Sequence, residues 1–457
     1  MKFCQCRLLV CLLSVSVALC SVFSGCTKGN DEFPSVTFPE DTSATTSASS
    51  TASSTVPDVD INRITVASPY SDSTIRYLAK LYYCKKHNMM GENTGMTISL
   101  DYLDGIDPDF IVESVLTPAE GATVDTFSLW NSDDNAPDVF LTSQVTEMKN
   151  NDYIIPLNDL VSGNPLLSTG RVFISAVEQD MYDGVLYAVP YYSSVMMVFG
   201  NSEYIPSSGK LTFRSGTEQF KQYLKSIDSE YDCIPLSSAR DLIPYISSAF
   251  RGDVRSSFML NEEYRINKDK ALVSMNDTLD YINGIYEEKL SADYTAESSN
   301  PVFSRNAGLW IAPSSEITNW QQYYPAGIYL ASIPGSDQTK NVIPMTTLYS
   351  LCVNKRSSNK VFASDFAAFM ALDSDARSLA ERLESFNGFL PSINSADLWD
   401  KIMSDPVFGQ AAGIYYQNLE NAVYCPGVND RLFVSVSDYL ASYKGGAFDP
   451  EACYGKP

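Results

Sequence analysis

The sequence predicts an α/β fold of two lobes joined by a hinge of about three extended crossings. The first observation behind this prediction is that short apolar strands alternate with helices through the first third of the chain. Such alternation indicates a mostly parallel sheet that is covered by helices on both faces. The second is a long extended run with a proline in its middle, DGVLYAVPYYSSVMMVFGN at 183–201. The third is that this shape recurs at 342–355 and, in a shorter form, at 386–392.

The chain begins with a segment that is typical of a secretory signal peptide. Lys2 and Arg7 are its only charged residues, and nothing is charged from Leu8 to Phe23. A comfortable membrane span takes about 20 apolar residues, so this run is short for one. A basic start, an apolar middle and small residues at the end favour a signal instead, and we predict one over residues 1–25.

The signal ends on Phe23-Ser24-Gly25-Cys26, which resembles the lipobox of bacterial lipoproteins. The resemblance implies that Cys26 becomes the first mature residue and carries lipid, palmitate included, on its thioether and amine. The match departs from the pattern at Phe23, where leucine is usual. The alternative is a plain secretory signal with a chance cysteine, because the signal contains four other cysteines.

A Ser/Thr-rich tether follows the signal. Residues 26–60 consist mostly of Ser, Thr, Ala, Pro and acidic residues, as in SATTSASSTASSTVPDVD. Such a composition buries too little apolar surface to offset the entropy of ordering, so we predict that this segment is disordered. A flexible coil of this length spans about 30 Å on average, enough to hold a globular body clear of a membrane.

The globular body begins with alternating elements. Residues 64–67 (ITVA) indicate a short buried strand, and the apolar period over 71–86 places Ile75, Leu78, Ala79 and Tyr82 on one face of a helix. Residues 96–100 (MTISL) indicate a second strand, and 137–141 (PDVFL) a third.

The three extended runs are predicted to cross between the lobes. Pro190 lies inside the first run and cannot donate a hydrogen bond to a ladder, so this run is no simple central strand. A segment that leaves one sheet and enters another explains it, and three such segments would make a hinged cleft.

The order and spacing of several segments resemble the type 1 extracellular solute-binding lipoproteins of ABC importers, the maltose-binding kind. The segments are INRITVASPYSDSTIRYLAKLY, APDVFLTSQVTEMKNNDYIIPLNDL, DGVLYAVPYYSSVMMVFGN, AGLWIAPSSEITNW, LCVNKRSSNKVFASDFAAFMAL and NGFLPS. The resemblance implies two Rossmann-like lobes of the type II periplasmic-binding-protein fold, with lobe 1 over 61–192 and 347–388 and lobe 2 over 193–346 and 389–457. It also implies a protein at the extracellular face of the membrane of a Gram-positive bacterium, which delivers a carbohydrate to ABC transporter permease subunits.

The resemblance places a ligand site in the cleft between the lobes, where loops follow the carboxyl ends of strands. The side chains there are aromatic rings, which can cover the apolar face of a sugar, and polar groups, which can satisfy its hydroxyls. The candidate ligand-binding residues are Tyr70, Ser71, Asp72, Thr142, Ser143, Gln144, Tyr191, Tyr192, Ser193, Trp310, Ser315, Glu316 and Thr346.

Charge and composition exclude several classes of function. The net charge of the 457 residues is −23, and the signal removes only positive charges, which argues against binding nucleic acid or anionic lipid directly. We therefore expect a monomer that contacts a membrane through its lipid anchor only. His87 is the only histidine, which argues against His-based metal sites and Ser-His catalysis, and we expect no cofactor. The five cysteines after Cys26 are scattered and odd in number, so they predict no disulfide framework.

A second class of function stays open on the sequence. A lipid-anchored glycoside hydrolase would use two carboxylates, and 55 acidic residues always offer some plausible pair. Within the binding-protein class, a peptide or another polar solute is the alternative to a carbohydrate.

Overall fold

The computed structural model describes nine stretches of the chain and a few single positions. The stretches are 62–91, 97–161, 172–205, 216–227, 277–285, 307–324, 327–333, 345–384 and 387–424. The predictions for the signal peptide, Cys26 and the tether lie outside the described residues.

Three parallel strands form one end of the main sheet. Strand β1 (Asn62–Ser68) lies between β2 (Phe110–Leu116) and β3 (Val139–Thr142), and it is parallel to both. Helix α1 (Asp72–Lys86) follows β1, and it buries Ile75, Leu78, Ala79 and Tyr82 as its period predicts. The predictions of strands at 64–67 and 137–141 and of this helix are confirmed.

The prediction of a strand at 96–100 is wrong. In the described part of this segment, residues 97–99 form no strand and Leu100 begins helix α2 (Leu100–Asp104). The strand that pairs with β1 here is β2, which the sequence did not reveal. Strand β2 lies at the edge of the sheet, and Val112 is the one residue of β2 that is classed as buried. Such an edge strand shows little regular alternation of apolar and polar residues, so its sequence does not reveal it.

The sheet is mixed, which corrects the prediction that it is mostly parallel. Its order is β10-β6-β9-β3-β1-β2, with β6 at Val189–Asn201, β9 at Met345–Val353 and β10 at Leu390–Pro391. Strand β9 is antiparallel to β3, and β6 is antiparallel to both β9 and β10. The antiparallel part of the sheet, β10-β6-β9, consists of the three extended runs. Parallel neighbours would require a crossover connection such as a helix between them.

Strand β6 pairs with different partners along its two halves. Residues 189–195 pair with β9, whereas 196–201 pair with β7 (Leu309–Pro313) and β8 (Ile328–Ala331). The ladder with β9 shifts register between Pro190 and Tyr192, at the residue that lacks an N–H donor. The three extended runs are therefore neighbouring strands of one sheet.

Shorter elements complete the described chain. A hairpin of β4 (Met181–Tyr182) and β5 (Val185–Leu186) turns at Asp183 and Gly184, whose φ angles of 53° and 77° suit a tight Asp-Gly turn. Strand β11 (Val423–Tyr424) is parallel to β9. The remaining helices are α3 (Val124–Ser132), α4 (Val145–Asn150), α5 (Asn158–Val161), α6 (Ile174–Gln179), α7 (Thr217–Ser226), α8 (Ile317–Tyr323), α9 (Lys360–Leu372), α10 (Ser374–Leu383), α11 (Ala396–Met403) and α12 (Gly409–Asn418), and 277–285 are also helical.

Helices cover both faces of the sheet, as predicted. On one face, Tyr82 of α1 packs edge-on against Phe366 and Phe369 of α9, with ring centroids 5.5 and 5.2 Å apart. On the other face, Phe127 of α3 packs on Phe140 of β3 at 4.4 Å. Cys84 and Cys352 are buried free thiols on these two faces.

Two further findings concern the whole chain. Contacts group Asp60–Pro457 as one unit, so the lobe boundaries stay a prediction. None of the helices in the described stretches combines the length and apolarity that a membrane span requires.

Candidate ligand-binding site

The carboxyl ends of β1, β2 and β3 meet at one edge of the sheet. Tyr70 follows β1, the loop 117–123 follows β2, and Thr142–Gln144 end β3 and begin α4. In open α/β sheets, ligands bind outside this edge.

Aromatic side chains from four segments meet at this edge. Tyr192 of β6 lies 4.4 Å from Phe389, 5.4 Å from Tyr349 of β9 and 5.1 Å from Tyr191, all between ring centroids. Tyr70 packs edge-on against Tyr191 at 5.9 Å. We call these five residues the tyrosine cluster.

The tyrosine cluster is joined to the loop after β2. The hydroxyl of Tyr192 donates a hydrogen bond to the carbonyl oxygen of Ala119. Burial raises the pKa of Tyr192 well above its usual value, so this hydroxyl stays protonated and available as a donor at neutral pH.

A cavity of about 190 Å³ opens beside the cluster. Tyr70, Tyr192 and Phe389 line one side, and α10 lines the other with Arg377, Glu381 and the adjoining Glu384. These three charged residues are spaced four and three apart, so they share one face of the helix. This spacing is visible in the sequence ARSLAERLE. It does not show whether the charged face of the helix points to a cavity or to solvent.

Arg377 is the most buried charged group of the cavity. Its side chain lies over the ring of Tyr191, with Cζ 4.0 Å from the ring centroid, and its NH1 group donates a 3.0 Å hydrogen bond to the hydroxyl of Tyr70. Burial raises the pKa of Tyr70, and the positive charge of Arg377 opposes this shift. A guanidinium stays charged in proteins, so a fixed cation lies at the base of the cavity.

Glu384 and Glu381 differ in their surroundings. Oε1 of Glu384 accepts hydrogen bonds from the Thr74 hydroxyl at 2.6 Å and from the Ser71 hydroxyl at 2.9 Å. Burial raises its pKa, but these hydrogen bonds outweigh burial and lower the pKa overall. Burial raises the pKa of Glu381, against the opposing charges of Arg377 and Lys401.

The candidates after β1 differ in placement. Tyr70 lines the cavity. The Ser71 hydroxyl caps α1 by accepting a hydrogen bond from the Thr74 N–H, and it donates a hydrogen bond to Glu384. Asp72 is exposed and pairs with Arg76 at 3.1 Å, one turn along α1.

The candidates after β3 hold the loop that follows β2. The Thr142 hydroxyl donates to the Ala122 carbonyl at 2.7 Å and accepts from the N–H of Gln144 at 3.0 Å. Oε1 of Gln144 accepts from the Val124 N–H at 2.8 Å, and Ser143 is partly exposed between them. The Thr142 hydroxyl and the Gln144 side-chain oxygen are thus engaged with the backbone.

The candidates on the crossings and on the strand β7 side are mostly buried. Ser193 pairs through its backbone with β9 and β10, and Thr346 is buried on β9. Ser315 Oγ accepts from the Ser194 hydroxyl at 3.0 Å, and Glu316 accepts from the indole N–H of Trp320 at 2.8 Å. Burial raises the pKa of Glu316.

Trp310 packs in the interior, away from the cavity. Its ring stacks on Tyr324 at 4.9 Å and on Phe199 at 5.9 Å, and it is 2% exposed. The structure thus brings Tyr70, Tyr191, Tyr192 and Ser71 together, and it adds Arg377, Glu381, Glu384 and Phe389, which the sequence did not single out.

Two larger cavities, of about 580 and 430 Å³, lie at the opposite edge of the sheet. The first is lined by Asn62 at the start of β1 and by Lys360 at the start of α9, and the second by Asn354, just after β9. The first also has an aromatic lining, since the rings of Tyr82, Phe110 and Phe362 lie within 5.9 Å of one another. Ligands of open α/β sheets bind outside the carboxyl ends of the strands, so the smaller cavity is the better candidate.

No protein-family model matches the chain, and none of the curated proteins matches it. Solved structures do match it. An ABC substrate-binding protein from Listeria monocytogenes, in complex with cycloalternan, is 14% identical with a TM-score of 0.58, over 84% of this chain and 94% of that one. The sugar-binding protein of Xanthomonas citri is 13% identical with a TM-score of 0.59, over 83% and 91%. A binding protein of B. animalis subsp. lactis, in complex with β-1,6-galactobiose, is 16% identical with a TM-score of 0.52, over 86% and 95%.

These likenesses establish the fold. The chain has the mixed α/β fold of the maltose-binding-protein-like periplasmic binding proteins, which confirms the predicted α/β class, while the two lobes and their hinge stay a prediction. The three structures named above are described as an ABC substrate-binding protein, a sugar-binding protein and an ABC-transporter-associated binding protein.

Proposed function

We propose that this chain, with the fold of the extracellular solute-binding proteins, captures a carbohydrate and delivers it to the permease of an ABC transporter. One observation carries the proposal. The carboxyl-end edge of the sheet holds a cavity that combines the aromatic rings of the tyrosine cluster with charged hydrogen-bonding groups of α10. Proteins of the same fold are described as sugar-binding or were solved with oligosaccharides.

The chemistry of the cavity suits a sugar ring. A pyranose has an apolar face, which an aromatic plane such as Tyr192 or Phe389 can cover. Its hydroxyls both donate and accept, so a carboxylate such as Glu381 and a guanidinium such as Arg377 can each bind them.

In this proposal the cleft lies between two lobes that the three crossings join. The lobe bounds are those that the sequence predicts, and β6, β9 and β10 are the hinge strands. Their direct pairing supports a common hinge, because bending one strand must bend its neighbours. Closure of the lobes around the ligand would produce the form that the permease recognises.

The proposal also includes the lipid anchor. Cys26 holds the protein at the outer face of the membrane, and residues 27–60 serve as a flexible tether. A protein held in this way stays near its permease after releasing the ligand.

A thermal-shift screen against mono- and oligosaccharides tests the carbohydrate function. A ligand at 100 times its dissociation constant stabilises the fold by about 2.7 kcal/mol, which raises the melting temperature measurably. We expect at least one oligosaccharide to do so in the wild type and to lose this effect in Tyr192→Ala. A full panel without any shift would contradict the proposal, and a shift with peptides alone would favour the peptide alternative.

The hydrolase alternative keeps one specific observation in its favour. Glu381 and Glu384 line the same cavity, and their pKa values shift in opposite directions, as in an acid and base pair. Prolonged incubation with the oligosaccharides that bind distinguishes the two functions. A binding protein leaves the sugar intact. Hydrolysis products that form with the wild type but not with Glu381→Gln would show an enzyme.

A further inference from the structure

The guanidinium of Arg377 is buried without a carboxylate partner. Its side chain is 4% exposed, and no ion pair within the described part of the chain includes it. Its single side-chain hydrogen bond goes to the Tyr70 hydroxyl, and its Nε–H group has no acceptor. Four of the five N–H groups of this side chain thus make no hydrogen bond to described residues.

The two nearby carboxylates do not pair with it. Glu381 lies one turn along α10 and interacts with Arg377 only through space, without an ion-pair contact. Glu384 is occupied by the hydroxyls of Ser71 and Thr74 at the start of α1.

An unpaired buried charge costs free energy, so buried arginines are normally paired with an anion. The ring of Tyr191 stabilises the cation from one side, but it offers no acceptor to the N–H groups. The side chain also borders the cavity of about 190 Å³, which is far larger than a single water of about 30 Å³. The missing acceptor can therefore come from whatever fills the cavity.

We propose that the ligand is an acidic carbohydrate whose carboxylate binds Arg377 while its ring packs against Tyr192 and Phe389. A carboxylate matches the planar fork of a guanidinium with two parallel hydrogen bonds, which a sugar hydroxyl cannot do. This inference rests on the proposed carbohydrate function and narrows it to sugars such as uronates.

The first test compares each acid with its own neutral form. The wild-type protein is titrated by calorimetry with oligomers of galacturonate, glucuronate, mannuronate and guluronate, and with the same oligomers after reduction of their carboxyl groups. We expect at least one acid to bind about 10- to 100-fold more tightly than its reduced form, the usual worth of hydrogen bonds to a charged group. Tight binding of the reduced forms or of other neutral oligosaccharides, with weak binding of the acids, would overturn the inference and leave the proposed function standing.

Variants of α10 form the second test. Arg377→Met should lower the affinity for the acid about 10- to 100-fold and the affinity for the reduced form by less, because a hydroxyl cannot form the paired, charged hydrogen bonds of a carboxylate. Arg377→Lys keeps the positive charge but lacks the planar guanidinium. Its affinity for the acid should therefore lie between those of the wild type and Arg377→Met. The matched control is Arg63→Met at the start of β1, where the arginine is exposed and pairs with Glu113.

Glu381→Gln separates this inference from a neutral-sugar site and does not depend on the folding of the Arg377 variants. Removing a neighbouring negative charge should raise the affinity for an acid relative to its reduced form several-fold, and this gain should shrink at high salt. Glu381 can accept the hydroxyls of either form, so the ratio of the two affinities is compared, and a ratio that is unchanged or lower in Glu381→Gln would overturn the inference. No binding by any carbohydrate, acidic or neutral, would instead contradict the proposed function itself.

Discussion

Tyr191 and Tyr192 are neighbours on β6, but their side chains have different environments. The register shift between Pro190 and Tyr192 interrupts the regular alternation of side chains here, and the two rings lie 5.1 Å apart. Tyr192 lines the cavity and donates to Ala119, whereas Tyr191 lies beneath Arg377 and is 1% exposed. Both tyrosines are candidate ligand-binding residues on the sequence, and we predict that Tyr192 contacts the ligand while Tyr191 packs behind it.

The pair yields a prediction on affinity and stability. Tyr191→Ala should lower the free energy of unfolding by about 3–5 kcal/mol, the usual cost of truncating a buried aromatic. Tyr192 is itself only 3% exposed, so Tyr192→Ala should also lower the free energy of unfolding, and it should in addition weaken ligand binding by about 1–3 kcal/mol, as for an aromatic anchor in an interface. Chemical denaturation and calorimetry measure the two effects separately. Unchanged affinity in Tyr192→Ala would place the ligand elsewhere.

Asp180 is a buried carboxyl group beneath the sheet. It follows α6, is 2% exposed, and one of its carboxylate oxygens has no hydrogen-bond partner. Burial raises its pKa from 3.8 to about 7, although Ser350 of β9 opposes the shift. The folded protein therefore binds this proton more tightly than the unfolded chain does.

The sign of the resulting pH dependence follows from that difference. Below about pH 4 the group is protonated in both states, and between about pH 4 and 7 its contribution to stability falls by about 1.4 kcal/mol per pH unit. Asp180→Asn should remove this loss and make the protein more stable than the wild type at pH 7.5. Denaturation midpoints across this range measure it, with Asp134→Asn as the control because that carboxylate is 94% exposed. An identical pH slope in wild type and Asp180→Asn would refute the assignment.

Arg377 shows what single residues of the sequence do not reveal. Charges spaced three and four apart are typical of a solvated helix face, so ARSLAERLE predicted nothing unusual. The tertiary packing of α10 against α1 turns that face to the cavity, and Arg377 becomes buried. Tyr70 and Tyr192 were accessible to sequence reasoning because they directly follow or lie within strands with recognisable ends.

At the scale of elements, the strands with a strong apolar pattern were predictable. Strand β3 is buried throughout, β1 is mostly buried from Ile64 onward, and Pro190 marked β6 as unusual. Strand β2 was missed because an edge strand alternates weakly, and Ile98 in MTISL is buried by packing against a helix rather than within a ladder. The antiparallel pairing of β9 with β3 depends on contacts between distant segments, which local patterns do not encode.

The loop before β10 makes a close contact with the turn Ser314–Glu316. Gly388 has a φ of 82°, and a Cβ atom there would lie 1.9 Å from the carbonyl oxygen of Ser314. The Ser314 hydroxyl also donates to the Gly388 carbonyl at 2.6 Å and accepts from the Val195 N–H at 3.1 Å. This contact joins β6, the turn and the third crossing.

Gly388→Ala should therefore lower the stability of the protein by more than backbone strain alone would. A left-handed conformation costs a residue other than glycine about 1–2 kcal/mol, and the collision adds to it. Gly184→Ala is the matched control, because Gly184 has a φ of 77° but nothing within 4 Å of the added Cβ. Melting temperatures of the two variants measure the difference, and equal losses would show that the turn shifts freely.

At the scale of the whole molecule, the anchor can be tested independently of the ligand. If Cys26 carries the lipid, Cys26→Ala should release the protein into the medium or leave its signal uncleaved. Metabolic labelling with palmitate and fractionation of membranes measure both results, with the buried Cys84→Ala as the control. Unchanged labelling and retention of Cys26→Ala would contradict the lipoprotein prediction.

The pairing of β6 also has a consequence for how the chain folds. Within the described residues, this strand of 13 residues pairs with no earlier strand, since its ladders join it to β7, β8, β9 and β10, and the first of these begins at Leu309. Because synthesis proceeds from the amino end, an apolar, tyrosine-containing segment emerges long before the strands that will shield it. Contacts between such distant segments slow folding. While β6 lacks its partner strands, this apolar segment stays exposed and prone to aggregation.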